Sequence, residues 1–160
     1  MANVVIVADM VRGFLEEGYP LGNPKLKRIA PFIEQLLERE SARGSHIIFV
    51  NDNHDRDDLE FKMFPPHCIR GTRETEVIPE LARYAKDVIP KRRYSAFFGT
   101  SLEQRIRELK PDKIIMLGVY TDICVLHTVA DARNRDYIVE VPAAGVASPD
   151  LKMHEFALEH

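Results

Sequence analysis

No stretch of the 160-residue chain approaches the ~20 consecutive apolar residues of a membrane-spanning helix, which excludes an integral helical membrane protein. Nor does charge of one sign dominate: 22 Lys and Arg are interspersed with 25 Asp and Glu, for a net charge of -3. That balance gives no electrostatic reason to expect a nucleic acid or an anionic membrane as partner. The stretch Arg70 to Arg73 and the run Lys91-Arg92-Arg93 are too short to act as a binding footprint. Cysteine is scarce, with only Cys68 and Cys124, and the two stand in different local contexts that suit free thiols in a reducing compartment. The start Met1-Ala2-Asn3-Val4 lacks the charged region and cleavage site of a secretion signal, so the expected location is the cytoplasm. Internal repeats and low-complexity segments are absent as well. What remains, 45% hydrophobic and 29% charged residues, is the composition of an ordinary globular chain of one-domain size.

Short apolar runs rich in Val and Ile recur at Val4 to Ala8, His46 to Val50, Asp87 to Ile89, Lys113 to Val119 and Tyr137 to Val141. Segments with helical period separate them, and this alternation predicts a parallel sheet with crossover helices. The first helix is expected from Asn23 as cap and Pro24 in the first turn, through Leu26, Ile29, Ile33, Leu36 and Leu37, to Gly44 just past its end. A second begins at Thr100, with Glu103 completing a capping box and Leu102, Ile106 and Leu109 forming its buried stripe before Pro111. A third follows Thr121 and buries Val125, Leu126 and Val129. From Asn51 to about Thr75 there is no periodicity, and that segment carries Asp52, His54, Asp55, Asp57, Asp58, Glu60 and His67. Long irregular loops inside compact domains are usually functional, although a solvated charge run reads the same way.

In an open parallel sheet, ligands bind beyond the carboxyl ends of the strands. Reactive side chains stand at these exits: Asp9 after the first strand, Asp52 and His54 after the second, Lys91 after the third, and Cys124 shortly after the fourth. Cys124 falls where Lys113 to Val119 breaks at Gly118 and restarts as a helix, a place that biases a thiol toward thiolate and supplies oxyanion donors. A thiol attacking an acyl carbon needs a base, a proton donor for the leaving amine and those donors. Asp9 fits the base and acid roles, and Lys91 fits as its partner and as a charge for the thiolate. Arg92 and Arg93 stand beside Lys91, and chemistry alone does not choose among the three. Asp52 and His54, two apart in extended backbone, point to one side, and His67 on the far arm of the loop closes a carboxylate and two imidazoles into a catalytic type of metal site. Zinc fits such a set, as do iron and manganese. His46, His127, His154 and His160 have no such company and read as structural or exposed.

With these residues in place the chain resembles the isochorismatase-like cysteine hydrolases, and within them the nicotinamidases. The motifs are the strand ending in Asp9 with Phe14 following, Lys91 followed by Tyr94-Ser95-Ala96-Phe97, and Gly118-Val119-Tyr120-Thr121-Asp122-Ile123-Cys124-Val125. The resemblance implies a three-layer α/β/α fold with a central, mostly parallel, Rossmann-like sheet, as one domain over residues 1–160. It implies a catalytic triad of Asp9, Lys91 and Cys124, a cis peptide between Val119 and Tyr120, and an oxyanion hole from the N–H groups of Tyr120 and Cys124. The segment Phe64-Pro65-Pro66-His67-Cys68 with Gly71-Thr72 is what points to nicotinamidases, whose metal is held by Asp, His and His. Glu60 matches a further ligand found in some of them. Substrate contacts are implied at Phe14, Phe64, Tyr94 and Tyr120, with Phe64 standing where many relatives have tryptophan. The short loop between Glu60 and Lys91 implies an open pocket.

The activity implied is hydrolysis of nicotinamide to nicotinate and ammonia through a cysteine thioester, with zinc, as a step of pyridine nucleotide recycling. The partner is then a small aromatic amide, and the resemblance implies a homo-oligomer. Two alternatives stay open: hydrolysis of another small amide or ureide, and binding of a metal or small molecule without turnover. Phosphoryl transfer through Asp9 is disfavoured, because Val11 stands where a second acid is needed and no phosphate-binding glycine loop is present.

Overall fold

The computed structural model describes residues 2–160. β1 (Val4–Ala8) is apolar and buried throughout, and pairs in parallel with β2 (His46–Asp52) on one side and β4 (Ile114–Val119) on the other. The remaining strands are β3 (Val88–Lys91), β5 (Val139–Glu140) and β6 (Val146–Ala147), all parallel to their neighbours. The sheet runs β3-β2-β1-β4-β5, and β6 also pairs with β4. The helices are α1 (Arg12–Leu15), α2 (Ala30–Ala42), α3 (Leu102–Leu109), α4 (Leu126–Asn134) and α5 (Leu151–Glu159).

Side chains of β1 alternate between two cores. Val5 and Val7 face one that α2 closes with Ile33, Leu36 and Leu37, whereas Val4, Ile6 and Ala8 face another that Leu102 and Ile106 of α3 and Ala132 of α4 close. Burial on both faces is why these strands read as continuous apolar runs rather than alternating ones. The result is the expected α/β/α stack. Among the described residues no helix is long and apolar enough to cross a membrane.

The observed elements differ from the periodicity in four places, each with a local cause. Asn23 does cap its segment, accepting from the Lys25 N–H at 3.1 Å, but Pro24–Ile29 is a 3-10 stretch and the α-helix starts only at Ala30. Pro31 has no N–H for the Lys27 carbonyl four residues back, and the Ala30 N–H takes that carbonyl instead. The capping box at Thr100 does not form. Thr100 accepts from the Leu102 N–H at 3.2 Å, while Glu103 is drawn away to Arg107 and Arg135. After Tyr120 a π-helical turn, Thr121–Val125, precedes α4 and rotates its face, so that Thr128 and Ala132 are buried and Leu126 and Val129 only half-buried. Finally, the last strand is split: Pro142 lacks the donor to extend the ladder, and the chain leaves β4 at Ile115 and rejoins it at Gly118 as β6.

The chain proceeds from β1 to β2 and β3 on one side and then returns to place β4 on the other side of β1. The strand order therefore reverses between β1 and β4, and the crevice beyond their carboxyl ends is the binding position of this architecture.

Candidate active site

Asp9 follows β1 and Cys124 follows β4, so the two residues flank that crevice. Asp9 lies in the left-handed region at φ 55, donates its N–H to the Val50 carbonyl, and turns the chain out of the sheet at that point. Aspartate tolerates this region better than most residues, and such conformations cluster at functional sites. Lys91 ends β3 directly opposite Asp52 in the register with β2, which decides in its favour over Arg92 and Arg93.

The Lys91 side chain is fully buried. Its Nζ donates to Asp52 Oδ1 at 2.5 Å, to the Arg93 carbonyl at 3.0 Å and to Cys124 Sγ at 3.2 Å. An ammonium has three N–H groups and all are thereby used. Asp9 Oδ2, 3.2 Å from the same nitrogen, receives charge but no hydrogen bond, and it is a buried oxygen without any hydrogen-bond partner. The other oxygen, Oδ1, is fixed by the Asp52 N–H at 2.8 Å. One carboxylate oxygen is thus anchored and the other is free beside a thiol, with the donor atoms of Asp9, Asp52 and Cys124 all within 4.8 Å of one another.

Burial, then the nearby Asp52 carboxylate, pushes Asp9 up from 3.8 to about 6, against the pull of Lys91. Burial and the Asp9 charge push the Cys124 thiol well above its ordinary value, and Lys91 only partly opposes them. The expectation of a thiolate is corrected accordingly. Loss of solvent outweighs the ammonium, so burial favours the thiol form of Cys124, with Asp9 beside it.

The peptide between Val119 and Tyr120 is cis. Gly118 before it has φ 115, and a Cβ there would lie 2.0 Å from the Ala8 carbonyl oxygen, so only glycine lets β4 lie this close to β1. In the π-helical turn, the N–H groups of Ile123 and Val125 both close on the Tyr120 carbonyl. Two further bonds hold the turn: Thr121 Oγ1 to His154 Nδ1 of α5 at 2.7 Å, and Ser148 Oγ to Asp122 at 2.6 Å.

Asp52 also faces the irregular loop after β2. His54, Glu60 and His67 join it in one buried cluster whose donor atoms lie within 4.8 Å of one another. The loop doubles back so that His54 bridges Ile69 in parallel, its N–H on the Cys68 carbonyl and its own carbonyl taking the Arg70 N–H, and this brings His67 alongside. His67 Nδ1 donates to the Pro65 carbonyl at 2.8 Å, and a carbonyl can only accept, so in the neutral ring Nε2 carries the lone pair. His54 Nδ1 is held by Asp58 at 3.0 Å, and its Nε2 is buried without a hydrogen-bond partner. Both Nε2 atoms face Asp52 Oδ2 and Glu60 Oε2 at 3.3 to 3.6 Å. The cluster draws positive charge, proton or cation, to that point: although burial opposes it, the two carboxylates push His67 up to about 10. Two oxygens and two imidazoles with their outer nitrogens already fixed suit a divalent ion such as zinc, and Glu60 belongs to the set.

Above both groups lies a slot of about 360 Å³ lined by Phe14, Leu21, Phe64, Tyr94, Tyr120 and Ile123, with Asp9, Asp52, Glu60, His67 and Cys124 at its base. Phe14 packs against His67 and edge-on against Tyr120, each at 5.6 Å, and Phe64 lies 6.3 Å from both His67 and Tyr94. Sequence reasoning missed Leu21 and Ile123 in the wall, Phe61 against both imidazoles, and the Asp58–Arg93 pair behind His54. Of the histidines set aside, His46 pairs with Asp87, His127 stacks on Tyr94 and His154 holds Thr121.

The family model of the isochorismatase domain matches residues 3–160. The chain belongs to the isochorismatase family. Among relatives of this isochorismatase-family hydrolase is a protein of Bacillus subtilis named an uncharacterized isochorismatase family protein, PncA, 34% identical over all of this chain and 94% of its own. The solved structure of pyrazinamidase/nicotinamidase from Streptococcus mutans superposes with a TM-score of 0.92 at 38% identity, covering 99% of this chain and 94% of that one. The structure of Pyrococcus horikoshii pyrazinamidase in complex with zinc superposes at 0.91 with 27% identity, covering 99% and 93%.

Proposed function

We propose that the protein is a metal-containing cysteine amidohydrolase that converts nicotinamide and water to nicotinate and ammonia through a thioester on Cys124. The observation that carries this reading is the Asp9 oxygen without a hydrogen-bond partner beside the buried Cys124 thiol at the base of an aromatic slot. Among the described residues no Arg or Lys lines the slot, while three carboxylates do. Such a pocket favours a flat, uncharged ring over a carboxylate-bearing substrate. The likeness to nicotinamidases and pyrazinamidases supports the same choice.

In the proposed reaction the Cys124 proton passes to Asp9 Oδ2 as sulfur attacks the carboxamide carbon. The N–H groups of Tyr120 and Cys124 receive the carbonyl oxygen as it becomes an oxyanion. Collapse of that adduct breaks the C–N bond, and Asp9 returns its proton to the departing ammonia. Water then attacks the thioester with Asp9 as base, and expulsion of sulfur, reprotonated by Asp9, releases nicotinate. Lys91 keeps Asp9 ionised and stabilises sulfur as its charge develops. A divalent ion held by Asp52, His54, Glu60 and His67, with zinc the favoured one, would supply a Lewis-acid anchor for a ring nitrogen. Phe14, Phe64, Tyr94 and Tyr120 hold the ring by stacking and exclude water. The product serves pyridine nucleotide recycling.

The test is ammonia release from nicotinamide, pyrazinamide, a simple ureide and N-carbamoylsarcosine, and pyruvate release from isochorismate, with and without chelator. Turnover of the first two, lost with Cys124→Ala and on chelation, is expected. Turnover confined to the ureide or to the anionic compounds would replace nicotinamide by those substrates. Bound zinc with neither ammonia nor pyruvate released from any of them would leave ligand binding without turnover as the function.

A further inference from the structure

Behind the four donors lies a residue whose contacts exceed those of its acidic neighbours. Asp55 and Asp57 are exposed, and Asp55 meets only the exposed Arg70. Asp58, one and three positions on, keeps its carboxylate almost fully covered and uses both oxygens. Oδ2 accepts from His54 Nδ1 at 3.0 Å. Oδ1 accepts from the Glu60 N–H at 2.9 Å, which caps the 3-10 turn Leu59–Lys62 and points Glu60 inward. Arg93 Nη1 contacts both oxygens, at 2.9 and 3.1 Å, and the backbone carbonyl of the same Arg93 receives the Lys91 ammonium at 3.0 Å.

We infer that Asp58 is a positioning residue for the cation site: its single carboxylate sets two of the four donors, His54 and Glu60, and its ion pair with Arg93 fastens that site to the strand end carrying Lys91. A carboxylate accepting from Nδ1–H keeps the His54 lone pair on Nε2, the atom that faces Asp52 and Glu60, and locks the ring plane. No other described side chain is placed on that Nδ1, and the Glu60 N–H would lose its acceptor at the same stroke. Asparagine has one acceptor oxygen and no charge, so Asp58→Asn satisfies at most one of the two N–H groups and releases Arg93.

The inference rests on the metal reading of the cluster and not on the substrate, and zinc itself is the probe. Zinc affinity of purified, metal-stripped protein is measured by competition with a chromophoric chelator for the wild type, Asp58→Asn and Asp57→Asn, with circular dichroism as the check on folding. Asp57→Asn removes the same charge one residue away and is expected to bind like wild type. Asp58→Asn is expected to bind one zinc about ten- to hundredfold more weakly, the usual effect of losing a ligand's outer partner. Equal affinities for wild type and Asp58→Asn, or equal losses in both variants, would overturn the inference. A second measurement needs no variant: in the nitrogen spectrum of the zinc-loaded wild type, His54 should carry its proton on Nδ1, and a proton on Nε2 refutes the assignment even if Asp58→Asn fails to fold. Normal zinc binding weakened by Asp58→Asn, with no ammonia from nicotinamide, would refute the proposed substrate and leave this inference standing.

Discussion

At the scale of single residues, the site is a matter of which polar atoms remain unspent. Lys91 uses all its N–H groups, and this leaves one Asp9 oxygen held close to charge but without a hydrogen bond, next to the sulfur. In the proposed reaction that oxygen carries every proton transfer. Asp9→Asn should therefore lower kcat for nicotinamide by ~10²- to 10⁴-fold with KM little changed, as steady-state ammonia release would read. A variant within threefold of wild type would remove Asp9 from the mechanism. Lys91→Met poses the complementary question, because it strips the cation from two buried carboxylates. A loss of ~3–5 kcal/mol in urea unfolding of the metal-free protein is expected, as for a broken buried ion pair. Asp9 and Cys124 stood out in the sequence as candidates because parallel strands announce their ends and reactive side chains stood there, whereas Lys91 was separated from Arg92 and Arg93 only by the resemblance and by its register opposite Asp52. The protonation state of Cys124 was not legible, since it depends on burial supplied by distant segments. Asp58 was hidden for a related reason: in sequence it is one of several loop acids, and only the fold distinguishes it from Asp57.

At the scale of elements, the strands were readable because burial on both faces writes an unbroken apolar run, as in Val4–Ala8. Where hydrogen-bond supply overrides periodicity the reading failed. Pro31 divides a single amphipathic stripe into a 3-10 stretch and a helix, Pro142 divides a strand, and the π-helical turn before α4 shifts which residues face inward. That turn carries Cys124, and in the strand before it Gly118 leaves no room for a Cβ against the Ala8 backbone of β1. Gly118→Ala would bring a methyl against the Ala8 backbone, in a conformation that alanine rarely adopts, and neither strand is free to move between its neighbours. A cost of about 3 kcal/mol is expected, at the upper end of ordinary substitutions, which corresponds to a fall of roughly 6–12 °C in melting temperature for a chain of this size. Calorimetry of the purified variant checks this, and an unchanged melting temperature would mean that β1 and β4 separate at little cost.

At the scale of the whole molecule, two buried acidic groups tie remote parts of the chain together and make stability depend on the solution. The cluster of Asp52, His54, Glu60 and His67 joins the end of β2 to the loop that follows it, and an ion bound there only by the folded state should raise the melting temperature. Zinc at about a hundred times its dissociation constant should contribute ~2.7 kcal/mol, or about 5–10 °C, and chelator should reverse it. Glu40 does the equivalent work far from the site. Near the end of α2 its Oε1 accepts from Asn3 Nδ2 at 2.7 Å and from Ser45 Oγ at 3.0 Å, with Arg43 at 3.4 Å from Oε2, so it binds the start of β1 to the corner before β2. Burial alone would push this carboxyl up, but those two hydrogen bonds and the Arg43 charge hold it below its ordinary value of 4.5. A group whose folded value is depressed stabilises the fold fully above the unfolded value and loses that contribution as pH falls through the folded one. Glu40→Gln retains an acceptor for Asn3 and Ser45 but not the charge, so it should cost about 1 kcal/mol near neutral pH, the difference between a charged and a neutral acceptor. The gap between variant and wild type in urea unfolding should close as pH is lowered below 4.5, because the wild-type carboxyl then becomes neutral as well. A gap that stays constant down to about pH 3 would show that Glu40 acts through packing and not through its charge.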